Sequence, residues 1–159
     1  MAQAAQAGEE GEPTGPVQQG RGKQGQYVYW IVFSHPKAEA VERLGLKVPT
    51  EFDRKSFSQL IVAAHEECRI SIVETVSFQE PHANGLIHYN CLVRASKQYR
   101  WARVAQVLRH QHNVCVDFGG DIRSWAEGVI YGCVASEHKK PEELDKTPLQ
   151  WAPYGRCIW

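Results

Sequence analysis

The chain lacks a run of the roughly 18 uninterrupted apolar residues that a membrane span needs, so no membrane partner is expected. Its start, Met-Ala-Gln-Ala-Ala-Gln, has neither a basic region nor an apolar stretch, which argues against a secretory signal. CxxC spacing is also missing. The five cysteines (Cys68, Cys91, Cys115, Cys133 and Cys157) are scattered and odd in number, a pattern that fits a reducing, intracellular setting and neither a zinc site nor a disulfide framework. Net charge is zero, which by itself offers nucleic acid nothing. Large apolar side chains are scarce through residues 1–25, a Gly-, Gln-, Ala- and Glu-rich segment that cannot bury enough surface to order itself and reads as a disordered tail. Internal repeats are absent.

One local absence is informative. Between Glu80 and Asp117 there is no acidic residue, while Arg94, Lys97, Arg100, Arg103 and Arg109 fall there with His82, His88, His110 and His112. A chain neutral overall can still turn one basic face to phosphates; a solvated helix face is the competing explanation.

What is present reads as one domain over residues 26–140, with 141–159 as a C-terminal extension that Pro141 and Pro148 make loop-like. Tyr27 to Ser34 is aromatic and β-branched, a strand ended by Pro36. An irregular connection with room for a short helix follows. Phe57, Leu60, Ile61 and Ala64 recur at helical spacing and predict a helix over 53–67. Residues 69–80 and 86–94 read as strands joined by a turn at 81–85. Ser96 is placed to cap a helix running to about 110, with Trp101, Val104 and Leu108 on its buried stripe. A strand over 113–118 and a helix over 122–137 complete the order. The expected fold is α+β: a ferredoxin-like, RRM-like antiparallel sheet with helices on one face and a metal and nucleotide site on the open face.

Strand alternation puts Leu86, His88, Asn90 and Leu92 on one face and the more apolar Ile87, Tyr89, Cys91 and Val93 on the other. The apolar set should meet the helices, leaving His88 and Asn90 on the open face. The turn decides where Glu80 goes. A three-residue Ala83-Asn84-Gly85 loop with Gly85 left-handed sets Glu80 opposite His88, with Cβ atoms about 5 Å apart. A two-residue Asn84-Gly85 loop sends Glu80 to the other face. In the first case a carboxylate, an imidazole and an amide oxygen converge, a donor set suited to Mg²⁺ or Mn²⁺. A surface ion pair worth little is the plain alternative.

The segment from Glu80 to Asn90 (EPHANGLIHYN) resembles the metal-binding motif of the HUH endonucleases, in particular the Rep type, whose viral pattern is E-x-H-x-x-G-x-x-H-U-H or H-U-Q with U bulky and apolar. The resemblance covers most of residues 27–137. Glu80, His88 and Asn90 take the metal-ligand places with Tyr89 as U, Asn90 departing from the usual His or Gln. Residues 32–36 (VFSHP) resemble the family's first motif, and the last helix resembles its third, which carries a tyrosine nucleophile.

The resemblance implies a single-tyrosine enzyme that nicks single-stranded DNA through a 5′-phosphotyrosine on Tyr131, in rolling-circle replication or transposition. Its partner would be single-stranded DNA, or a DNA hairpin at an origin or transposon end. A phenol titrates at about 10 and is a poor nucleophile at neutral pH, so the metal would polarise the phosphate. The lysine expected three residues after the tyrosine is replaced by Val134; His82, His138 and Lys139 are auxiliary candidates. Arg94, Lys97, Arg100 and Arg103 would hold the strand, and Tyr99 would stack on a base. With no helicase or ATPase motif in the chain, a downstream helicase or other domain is expected in a longer protein, nuclear if its source is a eukaryotic virus or transposon. A non-catalytic RRM-like binding module and an RNA-processing nuclease are the rival readings.

Overall fold

The structure, a computed structural model, describes residues 27–81, 84–119, 122, 124–137 and 139–152. Five antiparallel strands form one open sheet: β1 (Tyr27–Phe33), β2 (Ile72–Pro81), β3 (Ile87–Ala95), β4 (Asp117–Phe118) and β5 (Leu149–Trp151), in the order β4-β1-β3-β2-β5. The helices are α1 (Ala38–Leu44), α2 (Arg54–Glu67), α3 (Trp101–His112) and α4 (Trp125–Cys133). This is the α+β, ferredoxin-like arrangement expected from the sequence, with β5 added at one edge.

Alternation along the two central strands divides the interior. Tyr29, Ile31 and Phe33 of β1 and Tyr89, Cys91 and Val93 of β3 pack with Phe57, Ile61 and Ala64 of α2 and Val104 and Leu108 of α3. Their neighbours along the strands point the other way. Val28, Trp30, Val76, Phe78 and Leu92 form a second, smaller core, closed by Trp125, Val129 and Cys133 of α4. The second face of the sheet is therefore not free along its length: α4 lies on it.

Several boundaries differ from expectation for identifiable reasons. Asp53 caps α2, its carboxylate accepting from the Ser56 amide at 2.6 Å. Gly45, at φ +61°, ends α1 in a conformation that costs a side-chain-bearing residue energy. Ser96 does not cap α3; its amide donates to Ser71 O at 3.1 Å, and the helix starts only after Arg100. Asn113 takes the left-handed conformation to close α3, so only the last two residues of the strand expected at 113–118 pair with β1. Ser124 caps α4, its hydroxyl accepting from the Glu127 amide at 3.1 Å. The helix stops at Cys133, and a tight reversal pairs Ser136 with Lys139.

The loop-like reading of the segment after Pro141 is corrected. A single 3-10 turn at Pro141–Glu143 leads to β5, which pairs with Thr75, Val76 and Ser77 of β2. The buried Asp145 carboxylate fastens this segment down. It accepts from Arg54 Nη2 at 3.1 Å, from the Gln79 amide at 2.7 Å and from the Thr147 amide at 2.9 Å. Among the described residues no helix is long and apolar enough to cross a membrane.

Candidate functional site

The β2–β3 hairpin sets the site. Glu80 pairs with His88 and Pro81 with Ile87, in the register that the longer turn would give, and Gly85 sits at φ +80°. His82 and Ala83 lie outside the described residues. The Asn84 side chain accepts from the Leu86 amide at 3.1 Å, and the chain after β1 is tied to the hairpin through His35 Nε2 at 2.8 Å from Ile87 O.

With that register, Glu80, His88 and Asn90 share the α4 face of the sheet, as the side-chain alternation of Phe78 and Leu92 requires. His88 Nε2 lies 3.0 Å from Glu80 Oε2, and the Asn90 amide lies 3.5 Å from the same ring nitrogen. Glu80 and Asn90 are buried; His88 is partly open.

Lys139 arrives from the turn beyond α4 and forms an ion pair with Glu80 Oε1. Its Nζ also lies 4.9 Å from the centre of the Tyr131 ring. That ring stands edge-on to Trp30 at 5.4 Å and is 41% exposed. Asn90, His88, Glu80, Lys139 and Tyr131 thus form one contiguous set. Burial pushes the Glu80 carboxyl upward, but hydrogen bonds from His88 and Lys139 and the lysine charge outweigh it and hold the group below its ordinary value.

The donor set suits a small divalent cation. Adjacent ligands on an octahedral ion with bonds of about 2.1 Å lie about 3.0 Å apart, the separation of His88 Nε2 and Glu80 Oε2. Asn90 can turn its amide oxygen inward, and Lys139 occupies only the far carboxylate oxygen. His88 Nε2 can donate to Glu80 or give its lone pair to a cation, not both. Among the described residues no group of three or more His, Cys, Asp or Glu side chains gathers, so an amide would have to complete the set.

The helix above reaches the site because it carries glycine where it meets the sheet. A Cβ on Gly128 would come within 2.6 Å of Leu92 Cδ1, and one on Gly132 within 2.8 Å of Phe78 Cδ1 and nearer still to its ring edge. The Gly128-x-x-x-Gly132 spacing puts both on one helix face, a pattern visible in the sequence itself. Trp30, under Tyr131, carries no sequence signal beyond its place in a strand.

The expected nucleic-acid contacts divide. Arg94 lies on the α4 face but forms an ion pair with Glu74 and packs 5.1 Å from the Trp125 ring. Tyr99 is corrected as a stacking platform. Its ring packs 4.2 Å from that of Tyr29, its hydroxyl donates to His65 Nε2 at 2.6 Å, and burial raises its phenol pKa. The apolar wall offered by α2 and β1 draws the ring inward. Lys97, Arg100 and Arg103 are exposed. They sit past the far end of β3, about 25 Å from His88 by the strand rise over residues 88–96. His138 lies outside the described residues, and α4, which carries Tyr131, ends before it at Cys133.

No protein-family model, curated protein or solved structure matches the chain.

Proposed function

We propose that this chain is a metal-dependent endonuclease and strand transferase for single-stranded DNA, with Tyr131 as nucleophile. One observation carries the proposal: a carboxylate, an imidazole and an amide converge on one hairpin face beneath a helix that holds a half-open phenol, with Lys139 joining the two. Glu80, His88 and Asn90 would hold Mg²⁺ or Mn²⁺, which when bound supplies charge to a phosphodiester oxygen. Tyr131 Oη attacks phosphorus and the bond to the 3′ oxygen breaks. A 5′-phosphotyrosine results, and the phenol proton ends on the freed 3′-hydroxyl. The ester linkage is conserved, so a second 3′-hydroxyl can reverse the step and join strands. Trp30 fixes the phenol's approach from below, and Lys139 brings positive charge to the same place. Rolling-circle replication and transposition both use such a reaction.

The Lys139–Glu80 pair also favours a second reading. It neutralises the carboxylate without a cation, as it would in a non-catalytic nucleic-acid-binding module with Tyr131 as a surface residue. Cleavage of an end-labelled DNA oligonucleotide with Mn²⁺ and with chelator separates the two. The enzyme cleaves only with the ion and not as Tyr131→Phe; binding without any cleavage leaves the module. Preferential cleavage of the matching RNA would instead indicate RNA processing.

A further inference from the structure

At the end of the β2–β3 hairpin remote from Glu80, a cleft of about 390 Å³ opens between the end of α2 and the start of α3. Its walls carry four cations, Arg69, Lys97, Arg100 and Arg103, and no acidic residue lines it. All four are exposed, and none is in an ion pair among the described residues. Glu67, two residues before Arg69, directs its carboxylate to His112 Nε2 at 3.2 Å instead. Ile70 and Tyr99 give the cleft an apolar part.

Its walls are held in place by the fold. Ser96 and Ser71 are joined backbone to backbone at 3.1 Å, the Tyr99 amide donates to Tyr29 Oη at 3.1 Å, and the Arg69 amide donates to Glu66 O at 2.8 Å. Arg69 itself has φ 58°, a conformation in which glycine is the usual residue. Four like charges gathered without carboxylates repel one another, and an anion between them removes that repulsion.

We propose that this cleft is a phosphate-binding subsite that takes the backbone of a nucleic acid at a point remote from the Glu80 cluster. Guanidinium groups offer paired donors to phosphate oxygens, and the cleft is open enough to admit a phosphodiester. Its separation of about 25 Å from His88 corresponds to about seven phosphates along one strand of a duplex, at about 3.4 Å each. A ligand that spans both places must therefore be a polymer. The subsite extends the proposed function by fixing where the flanking nucleic acid lies, but it requires no chemistry at Tyr131.

The test is fluorescence anisotropy of a labelled 20-nucleotide DNA, in chelator, with the full chain carrying Tyr131→Phe. The salt dependence of affinity is compared with and without Arg100→Gln plus Arg103→Gln. Each lost phosphate contact should lower the slope of log K against log salt by about 0.7–0.9, so the pair should lower it by about 1.5. Arg100→Lys plus Arg103→Lys should keep the slope, and Lys37→Gln plus Arg43→Gln, at the start and in the last turn of α1, should not change it. An unchanged slope in the Arg→Gln pair, with the fold intact by circular dichroism, overturns the subsite. No binding by the parent protein does the same. Isothermal titration with inorganic pyrophosphate forms the second arm: binding there that is lost in the Arg→Gln pair, with the DNA slope unaffected, assigns the cleft to a free phosphate and overturns the nucleic-acid proposal. Since the assay excludes metal and nucleophile, its failure leaves the nicking proposal standing, and the reverse holds too.

Discussion

Replacing Gly132 with alanine adds one methyl group where α4 touches the sheet, and the structure fixes what that methyl meets. It would enter the Phe78 ring edge, 2.8 Å from Cδ1 and closer to the next two carbons. Phe78 cannot easily yield, being fully buried with its ring stacked on Trp30 at 5.6 Å. Relief to ordinary contact therefore requires α4 to lift by about 1 Å at its last turn. Overpacking of this kind costs about 1–3 kcal/mol, and alanine's better helix propensity returns up to about 1 kcal/mol. A net loss of about 1–2 kcal/mol is expected in urea unfolding. If Tyr131, the preceding residue, is the nucleophile proposed above, the effect on nicking should be larger, because a misplacement of about 1 Å can cost about 100-fold in rate. Gly128→Ala should be milder, as its methyl meets the flexible ends of Leu92. Full stability and normal nicking in Gly132→Ala would refute the close approach of α4.

Three further outcomes follow from the same structure. Lys139→Met strands the buried Glu80 carboxylate and should cost about 3 kcal/mol in urea unfolding; the double variant Glu80→Gln with Lys139→Met should recover part of that, and additive losses would count against a coupled pair. Burial lowers the His65 pKa from 6.5 to about 4, so the folded state holds the neutral ring while the unfolded chain takes up a proton. That contribution is present above pH 6.5 and falls as pH drops toward 4, by about 2 kcal/mol at pH 5; His65→Gln should lack this slope, and parallel stability curves would exclude it. Asp145→Asn loosens the Arg54 and Gln79 contacts and should speed amide exchange in β5 and the edge of β2 far more than in β1, whereas uniform protection would show that the carboxylate is not what holds β5.

Much of this was legible in the chain because parity is a strong constraint. Once β3 must put Tyr89, Cys91 and Val93 into the main core, His88 and Asn90 have only one face to occupy. Glu80 was less determined, since both turn lengths suit Asn84-Gly85; the structure selects the register that brings it to His88. Lys139 is an auxiliary candidate in the sequence, but no spacing rule links it to Glu80: it reaches that carboxylate through the reversal at Ser136, where no periodicity operates. Tyr99 precedes α3, which begins at Trp101, so helix periodicity does not set where its ring points. β5 is three residues long and held by a carboxylate, so neither alternation nor apolar content announced it.

The proposed covalent step can be tested directly. Incubation of the chain with Mn²⁺ and a single-stranded DNA substrate, followed by proteolysis and mass spectrometry, should give one tryptic peptide carrying a 5′-linked nucleotide on Tyr131, absent from Tyr131→Phe and greatly reduced in His88→Ala. Cleavage products without any adduct, or an adduct that persists in Tyr131→Phe, would contradict the assignment of Tyr131 as nucleophile.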